Sequence, residues 1–522
     1  MRMTRYLLNI EAQEEVSMSI LSKSKKIILL LAVSLCSVSL AGAEPIIDSE
    51  TVETAAAPYY NLSLSVPTDR NSGYDPTRAM VNGVQNQGIY GTCWAFAAVA
   101  AAESSVYKQL QQEGIPYNVE TNPVKYSPWY LAWIKSALPT EVDSSDARLH
   151  SGKPEQKDYL RPFAQKVYKG GISGIDAEFN IALGPIFKEI DVHDKTALIA
   201  PENYVDKTGV HLHNVFNILC DHPEEMKKPE NMQRIKELVV SCGAVVAGVS
   251  AHALHQSGAV DFYTDRHYPV DHAVTLIGWD DEYDFSKSGM RVKPKKKGAW
   301  ILRNSWGADW GDKGDYYLSY EDCSFEDVAA LDVDVDRDCF DYIGTHEDSS
   351  SLFGKKGLPP VPVQMKKNAA FAAGYTARGE DNLVAVGAYA MEDGMSYRIR
   401  VYKDCQDFIH NTKAPDYQQE GTFGEDGTPA WNGYRMVELA QPVALAQGEE
   451  YVVEMSLFTR DGKGVFVVAT DDSDKLDQDL MTSYINEGDG RWQKVLNRDG
   501  RYHNDIFSVG SVIERVYLKH IK

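Results

Sequence analysis

Asn86-Gln87-Gly88-Ile89-Tyr90-Gly91-Thr92-Cys93-Trp94 runs directly into Ala95-Phe96-Ala97-Ala98-Val99-Ala100-Ala101-Ala102, and this stretch decides how the chain is read. Alanine-rich sequence with apolar positions at helical spacing, closed by Gly114, predicts a helix over residues 93–114 that opens at a cysteine. A thiol is a strong nucleophile only as the thiolate, and a helix N-terminus or an imidazolium partner favours that anion. Six residues earlier, Gln87 offers a side-chain amide that, with the Cys93 backbone N–H, supplies two donors to a developing oxyanion. Gly88 and Gly91 let the backbone turn between them.

Outward toward the N-terminus, Lys23, Lys25 and Lys26 precede an apolar run from Ile27 to Leu35, and Ala41-Gly42-Ala43 follows. A charged start, a short apolar stretch and an A-x-A exit describe a secretory signal over residues 1–43, with Met18 as an alternative start. An uncleaved membrane anchor is the other reading; the run is short for a transmembrane helix, and no integral span is expected after signal removal. Residues 44–68 read as a linker or short pro-segment. The 522 residues carry a formal charge of −22, which repels phosphate backbones and argues against nucleic acid as a partner. Seven cysteines without a CxxC pair exclude a disulfide scaffold and a zinc ribbon.

Outward toward the C-terminus, helix-like and strand-like segments alternate to residue 338, with strands expected at 243–249, 273–278 and 299–302. A polar insertion over 280–298, tipped by Lys293-Pro294-Lys295-Lys296-Lys297, reads as a solvated hairpin tip. Asp332, Asp334, Asp336 and Asp338 alternate as on one face of a strand; the calcium-loop alternative fails because Arg337 and Ile343 stand where glycine and glutamate are needed. Residues 339–360 read as a loose connection. Beyond them, short β-branched and aromatic runs at 383–390, 396–402, 450–457 and 464–469 predict an all-β sandwich over 361–522. Its aromatics Trp431, Tyr434, Tyr451 and Trp492 suit either a sugar-stacking surface or core packing.

Two further blocks give the opening stretch a family context. Asp271-His272-Ala273-Val274-Thr275-Leu276-Ile277-Gly278 and Trp300-Ile301-Leu302-Arg303-Asn304-Ser305-Trp306-Gly307, the latter followed by Trp310, Gly311 and Gly314, appear in that order after Cys93. Together the three blocks resemble those of papain-like cysteine peptidases, of a bacterial type with a C-terminal lectin-like domain. The resemblance implies an α+β fold: a two-lobed catalytic domain over 69–338, one lobe helical and one β-barrel-like, followed by the sandwich. It implies Cys93 as nucleophile, His272 as general base and later acid, Asn304 as orienter of the imidazole, and Gln87 in the oxyanion hole. It further implies that Trp306 shields the His272–Asn304 bond and that Gly170-Gly171 form a cleft wall where a substrate backbone lies extended, a simple turn being the other reading of the glycine pair.

The chain departs from that pattern in three places. His272 lies 179 positions and Asn304 211 positions after Cys93, against roughly 130–150 in the family. Tyr90 and Tyr168 occupy the places of a bridged cysteine pair, and residues 44–68 are too few for the long helical pro-domain of eukaryotic relatives. The expectation is an exported, secreted or periplasmic endopeptidase that needs no metal or organic cofactor and acts on protein or peptide substrates. For the sandwich, the lectin-like resemblance implies a carbohydrate or cell-surface ligand; the other reading is a domain that packs on the catalytic unit and stabilises or positions it. The rival readings are a degenerate adhesin and an exopeptidase or transpeptidase acting on cell-wall peptides.

Overall fold

A helix that is apolar on every side is stable only inside a core. In the computed structural model, α1 (Cys93–Gln112) is buried from Cys93 to Tyr107 apart from the half-buried Ala100, and it emerges where its sequence turns polar. The structure describes residues 78–88, 90–112, 124–126, 128, 131, 211–218, 222–254, 259–334, 342–345, 361–377, 379–425, 430–470, 482–495, 510–512 and 514–521. The leader, residues 44–68, Tyr168 and Gly170-Gly171 lie outside the described residues.

After α1 come β1 (His211–Ile218), α2 (Pro223–Met226), α3 (Pro229–Cys242), β2 (Val245–Val249), β3 (Asp261–Phe262), β4 (His272–Asp280), β5 (Ala299–Arg303), β6 (Asp315–Ser319) and β7 (Glu326–Asp334). The second half holds β8 (Tyr342–Thr345), β9 (Val361–Lys367), β10 (Ala370–Thr376), β11 (Asp381–Ala390), β12 (Ser396–Tyr402), α4 (Cys405–His410) and β13 (Tyr417–Thr422). It closes with β14 (Gly433–Leu445), β15 (Glu450–Phe458), β16 (Lys463–Thr470), β17 (Thr482–Asn486), β18 (Gln493–Val495), β19 (Gly510–Val512) and β20 (Glu514–His520). The helix and strands expected from the sequence form at their expected places with small shifts of their ends.

One sheet runs through both halves in the order β3-β6-β5-β4-β2-β7-β1-β14-β11-β20-β8. The join is β1 against β14, where Asn214 pairs with Arg435. Strand periodicity explains how the sheet serves two cores, since successive side chains point to opposite faces. In β11, Val386, Ala388 and Ala390 face the sandwich core, together with Val437 and Leu439 of β14 and the nine-stranded second sheet. Ala385 and Tyr389 face the other way and pack with Tyr434, Met436 and Tyr517 against α1. A third core lies between β1–β7 and helices α2 and α3. Gly243, with φ of +92°, ends α3 against α1: a Cβ there would stand 2.6 Å from Ser104 Oγ, which accepts the Ala244 N–H at 2.8 Å.

The insertion between β4 and β5 is a hairpin tip at the surface; the N–H groups of Lys295 and Lys296 donate to Glu321, and Lys297 pairs with Glu282 at 2.9 Å. Asp332 and Asp334 lie on β7, and Asp332 accepts from Asn214 Nδ2 at 2.9 Å. Tyr434 and Tyr451 are core residues, Trp431 meets Phe216 edge-on at 6.2 Å, and Trp492 lies on Phe408 at 4.6 Å. Core packing therefore takes up Tyr434 and Tyr451, while Trp431 and Trp492 are half-buried against their aromatic neighbours. Among the described residues, Cys93, Cys242, Cys323 and Cys405 are free thiols. Among the described residues no helix is long and apolar enough to cross a membrane.

Candidate active site

Antiparallel pairing brings the second and third sequence blocks to one end of the sheet. β4 and β5 register with Thr275 opposite Arg303 and Leu276 opposite Leu302. Followed outward, that register sets His272, the first residue of β4, beside the segment Asn304-Ser305-Trp306 that leaves β5. His272 Nε2–H donates to Asn304 Oδ1 at 2.9 Å, and its ring stacks on Trp306 with centroids 5.0 Å apart and planes at 29°. The Ser305 backbone N–H also donates to Asn304 Oδ1, at 2.8 Å. That second donor requires an oxygen, so it fixes which end of the amide faces the ring. The ring is then protonated at Nε2, and Nδ1 is the nitrogen left to accept a proton.

The first block is stitched to the third through backbone and side chain. Gln87 N–H donates to the Ser305 carbonyl at 2.8 Å, Gly307 N–H donates to the Gln85 carbonyl at 3.1 Å, and Asn86 bridges Trp306. Ser305 Oγ–H donates to Gln87 Oε1 at 2.5 Å, and Gln87 Nε2 donates to the Tyr90 carbonyl at 2.6 Å. The Gln87 amide is thus held with its NH2 end toward the turn that leads to Cys93. Gly88, with φ of +62°, makes this turn together with the Asn86 side chain, which accepts the Gly88 N–H at 2.8 Å.

Cys93 is 6% exposed at the N-terminus of α1, where the Thr92 carbonyl accepts the Ala95 N–H at 2.9 Å and the Phe96 N–H at 3.2 Å. Burial pushes the Cys93 thiol up from its ordinary range; the N–H groups of Ala273, Trp94 and Cys93 oppose that, and the Asp271 carboxylate adds to it. Two consequences follow. The sulfur lies against the backbone of Ala273, next in sequence to His272. Burial outweighs the local N–H donors, so the thiol stays above its ordinary range.

The four reactive residues that the sequence singled out, Cys93, His272, Asn304 and Gln87, lie in one neighbourhood, with Trp306 covering the ring. Trp310 is a packing residue: it meets Trp306 edge-on at 5.2 Å and stacks on Phe262 at 5.6 Å. Tyr90, 37% exposed, is at the surface. Sequence reading gave no role to Ser305, Asn86 or Asp271. Asp271 Oδ1 accepts the Ala251 N–H at 2.7 Å and so ties down the loop before His272. All three stand within the quoted blocks, which was their one signal. Among the described residues no three His, Cys, Asp or Glu side chains gather as a metal site.

Residues 202–332, which include His272 and Asn304, match the model described as papain family cysteine protease, and residues 361–506 match the lectin like domain. Thiol protease aleurain of Arabidopsis thaliana is 25% identical over 240 residues, covering 45% of this chain and 51% of its own length. The oryzain gamma chain of Oryza sativa subsp. japonica is 26% identical over 241 residues, with 45% and 51% covered. The chain thus spans about half the length of these curated relatives. Among solved structures, the clostridial cysteine protease Cwp84 after propeptide cleavage superposes with a TM-score of 0.58 at 17% identity, covering 86% of this chain and 99% of that one. The cysteine protease and lectin-like domains of the same protein, described as surface layer associated in Clostridium difficile, give 0.53 at 17% identity, covering 89% and 98%. At that identity the likeness concerns the fold, and it extends over both halves of the chain.

Proposed function

The chain has a papain-like fold with a C-terminal lectin-like domain, and from that premise we propose that it is an exported cysteine endopeptidase that hydrolyses peptide bonds through a thioester on Cys93. The observation that carries the reading is the His272–Asn304 hydrogen bond of 2.9 Å beside a cysteine whose sulfur lies at the Ala273 backbone on a helix N-terminus.

In the reaction, His272 Nδ1 takes the Cys93 proton, and Asn304 Oδ1 stabilises the resulting imidazolium by accepting from Nε2–H. The thiolate adds to the scissile carbonyl carbon. The oxyanion that forms accepts from the Cys93 N–H and from the second N–H of the Gln87 amide, held in place by Ser305. His272 then gives its proton to the leaving amine as the C–N bond breaks, and the acyl group stays on sulfur. Water, deprotonated by His272, attacks the thioester and releases the acid and the thiol. Trp306 keeps water off the His272–Asn304 bond throughout.

The leader over residues 1–43 supports export. The lectin-like match supports a carbohydrate or cell-surface ligand for residues 361–522, and the sheet shared by both halves supports a role for that domain in bracing the catalytic unit. Digestion of a mixed peptide library tests the assignment: the parent cleaves internal bonds, in blocked and unblocked peptides alike, and Cys93→Ala cleaves none. Loss of cleavage on blocking either terminus would replace the endopeptidase by an exopeptidase, and equal products from parent and Cys93→Ala would sink the thioester mechanism.

A further inference from the structure

Behind the His272–Asn304 pair lies a cavity of about 30 Å³ whose lining includes Asn82, Ala100, Glu103, Thr275, Arg303 and Asn304. A volume of this size holds one water when two or more polar partners converge on it. Asn304 provides one. Its Oδ1 is taken by His272 and by the Ser305 N–H, and its Nδ2, buried, has no hydrogen-bond partner among the described residues. A buried amide N–H without an acceptor is costly, and an amide left with one end unheld is free to turn.

Glu103 provides the second partner. It is 1% exposed, on the helix that opens at Cys93, and its oxygens accept from Asn82 Nδ2 at 2.7 Å and from the Tyr126 N–H at 2.8 Å. Each carboxylate oxygen accepts more than one hydrogen bond. The same network holds the residue before Asn304. Asn82 Oδ1 accepts from Tyr107 Oη at 2.6 Å, the Asn82 carbonyl accepts from Arg303 Nη1, and Arg303 grips Asp315 through Nε at 2.7 Å and Nη2 at 3.0 Å.

We propose that this cavity is a single-water site and that Glu103 is, through the water, a positioning residue for the Asn304 side chain. The water accepts from Asn304 Nδ2 and donates to a Glu103 oxygen, which keeps Asn304 Oδ1 turned toward His272. The proposal rests on the reading of Cys93, His272 and Asn304 as the reactive constellation. Its consequence is electrostatic: a fixed Oδ1 favours the protonated ring, so a loosened Asn304 lets the imidazolium lose its proton at lower pH.

Ala100 borders the cavity without a polar group of its own, so substitutions there address the water and leave every hydrogen-bonding residue in place. Ala100→Val displaces the water. It is expected to lower kcat about tenfold at unchanged KM and to move the descending limb of the kcat/KM profile down by about half to one pH unit. Ala100→Ser sets a hydroxyl where the water sits and keeps kcat and the limb of the parent. A high-resolution crystal structure of the parent is the direct measurement: an ordered water within hydrogen-bond reach of Asn304 Nδ2 and Glu103 supports the site. A dry cavity, or a Val variant with the parent's pH profile, overturns it. A parent with the water but without peptidase activity overturns the functional reading while leaving the water site standing.

Discussion

Ser305→Ala removes one hydroxyl, the one that donates to Gln87 Oε1 at 2.5 Å. In the proposed mechanism Gln87 touches the developing oxyanion, whereas Ser305 acts only by holding the Gln87 amide, which is also anchored at the Tyr90 carbonyl at 2.6 Å. Loss of a single oxyanion donor lowers kcat by about 10²–10³, which is the expectation for Gln87→Ala. One neutral hydrogen bond is worth about 0.5–1.5 kcal/mol net, so Ser305→Ala alone lowers kcat roughly two- to tenfold with KM unchanged. In a Gln87→Ala background the hydroxyl has nothing left to orient, and Ser305→Ala costs no further activity. The coupling free energy then equals the whole single-variant effect, about 0.5–1.5 kcal/mol. The assay is steady-state hydrolysis of a blocked fluorogenic peptide by the four proteins of the cycle, with thiol titration to count competent sites. Equal factors for Ser305→Ala in both backgrounds would show that the hydroxyl does not work through Gln87 and refute the reasoning.

Two other predictions follow from buried charge. In His272→Ala the thiol has lost its proposed imidazole partner; burial and Asp271 hold it above the ordinary cysteine range, so alkylation by iodoacetamide rises only above that range. An inflection at or below the ordinary value would show instead that the helix N-terminus suffices to make the thiolate. In the second half, Glu454 is fully buried and accepts from Arg398 Nε at 2.6 Å, yet burial still holds its carboxyl above the usual range against Arg398 and Arg400. Arg398→Ala leaves that charge poorly paired and is expected to cost about 3–5 kcal/mol at neutral pH. A raised folded pKa means that the native state binds a proton which the unfolded chain has already released. The deficit therefore shrinks as pH falls through the raised value toward the ordinary carboxylate range. Urea midpoints that differ from the parent's equally at pH 7 and pH 5 would contradict this.

Much of the site was legible because its chemistry sits in short contiguous blocks. The helix start at Cys93, the strand start at His272 and the strand exit at Asn304 are local features, readable from alanine content, β-branched runs and glycine placement. Ser305 and Asn86 were not readable as functional. Their roles depend on a pairing between segments more than 200 positions apart, which leaves no periodic trace in either one. Glu103 reads as an ordinary polar residue within an alanine-rich helix; its place on the cavity that Asn304 also lines follows only from the packing of α1 against β4.

By itself, the sequence determined the helix that opens at Cys93, seven of the strands, and the order of the candidate residues Cys93, His272 and Asn304 along the chain. Those properties follow from side-chain period, backbone preference and turn chemistry over a few residues. Only the tertiary structure decided that β1 and β14 join the two halves into one sheet, that Tyr434 and Tyr451 are core rather than ligand surface, and that burial holds the Cys93 thiol above its ordinary range. The physical reason is the same in each case. A strand pattern such as that of β11 shows that both faces want cover, but which element covers each face is set by contacts between distant parts of the chain, and burial, with the pKa it imposes, exists only once those contacts have formed.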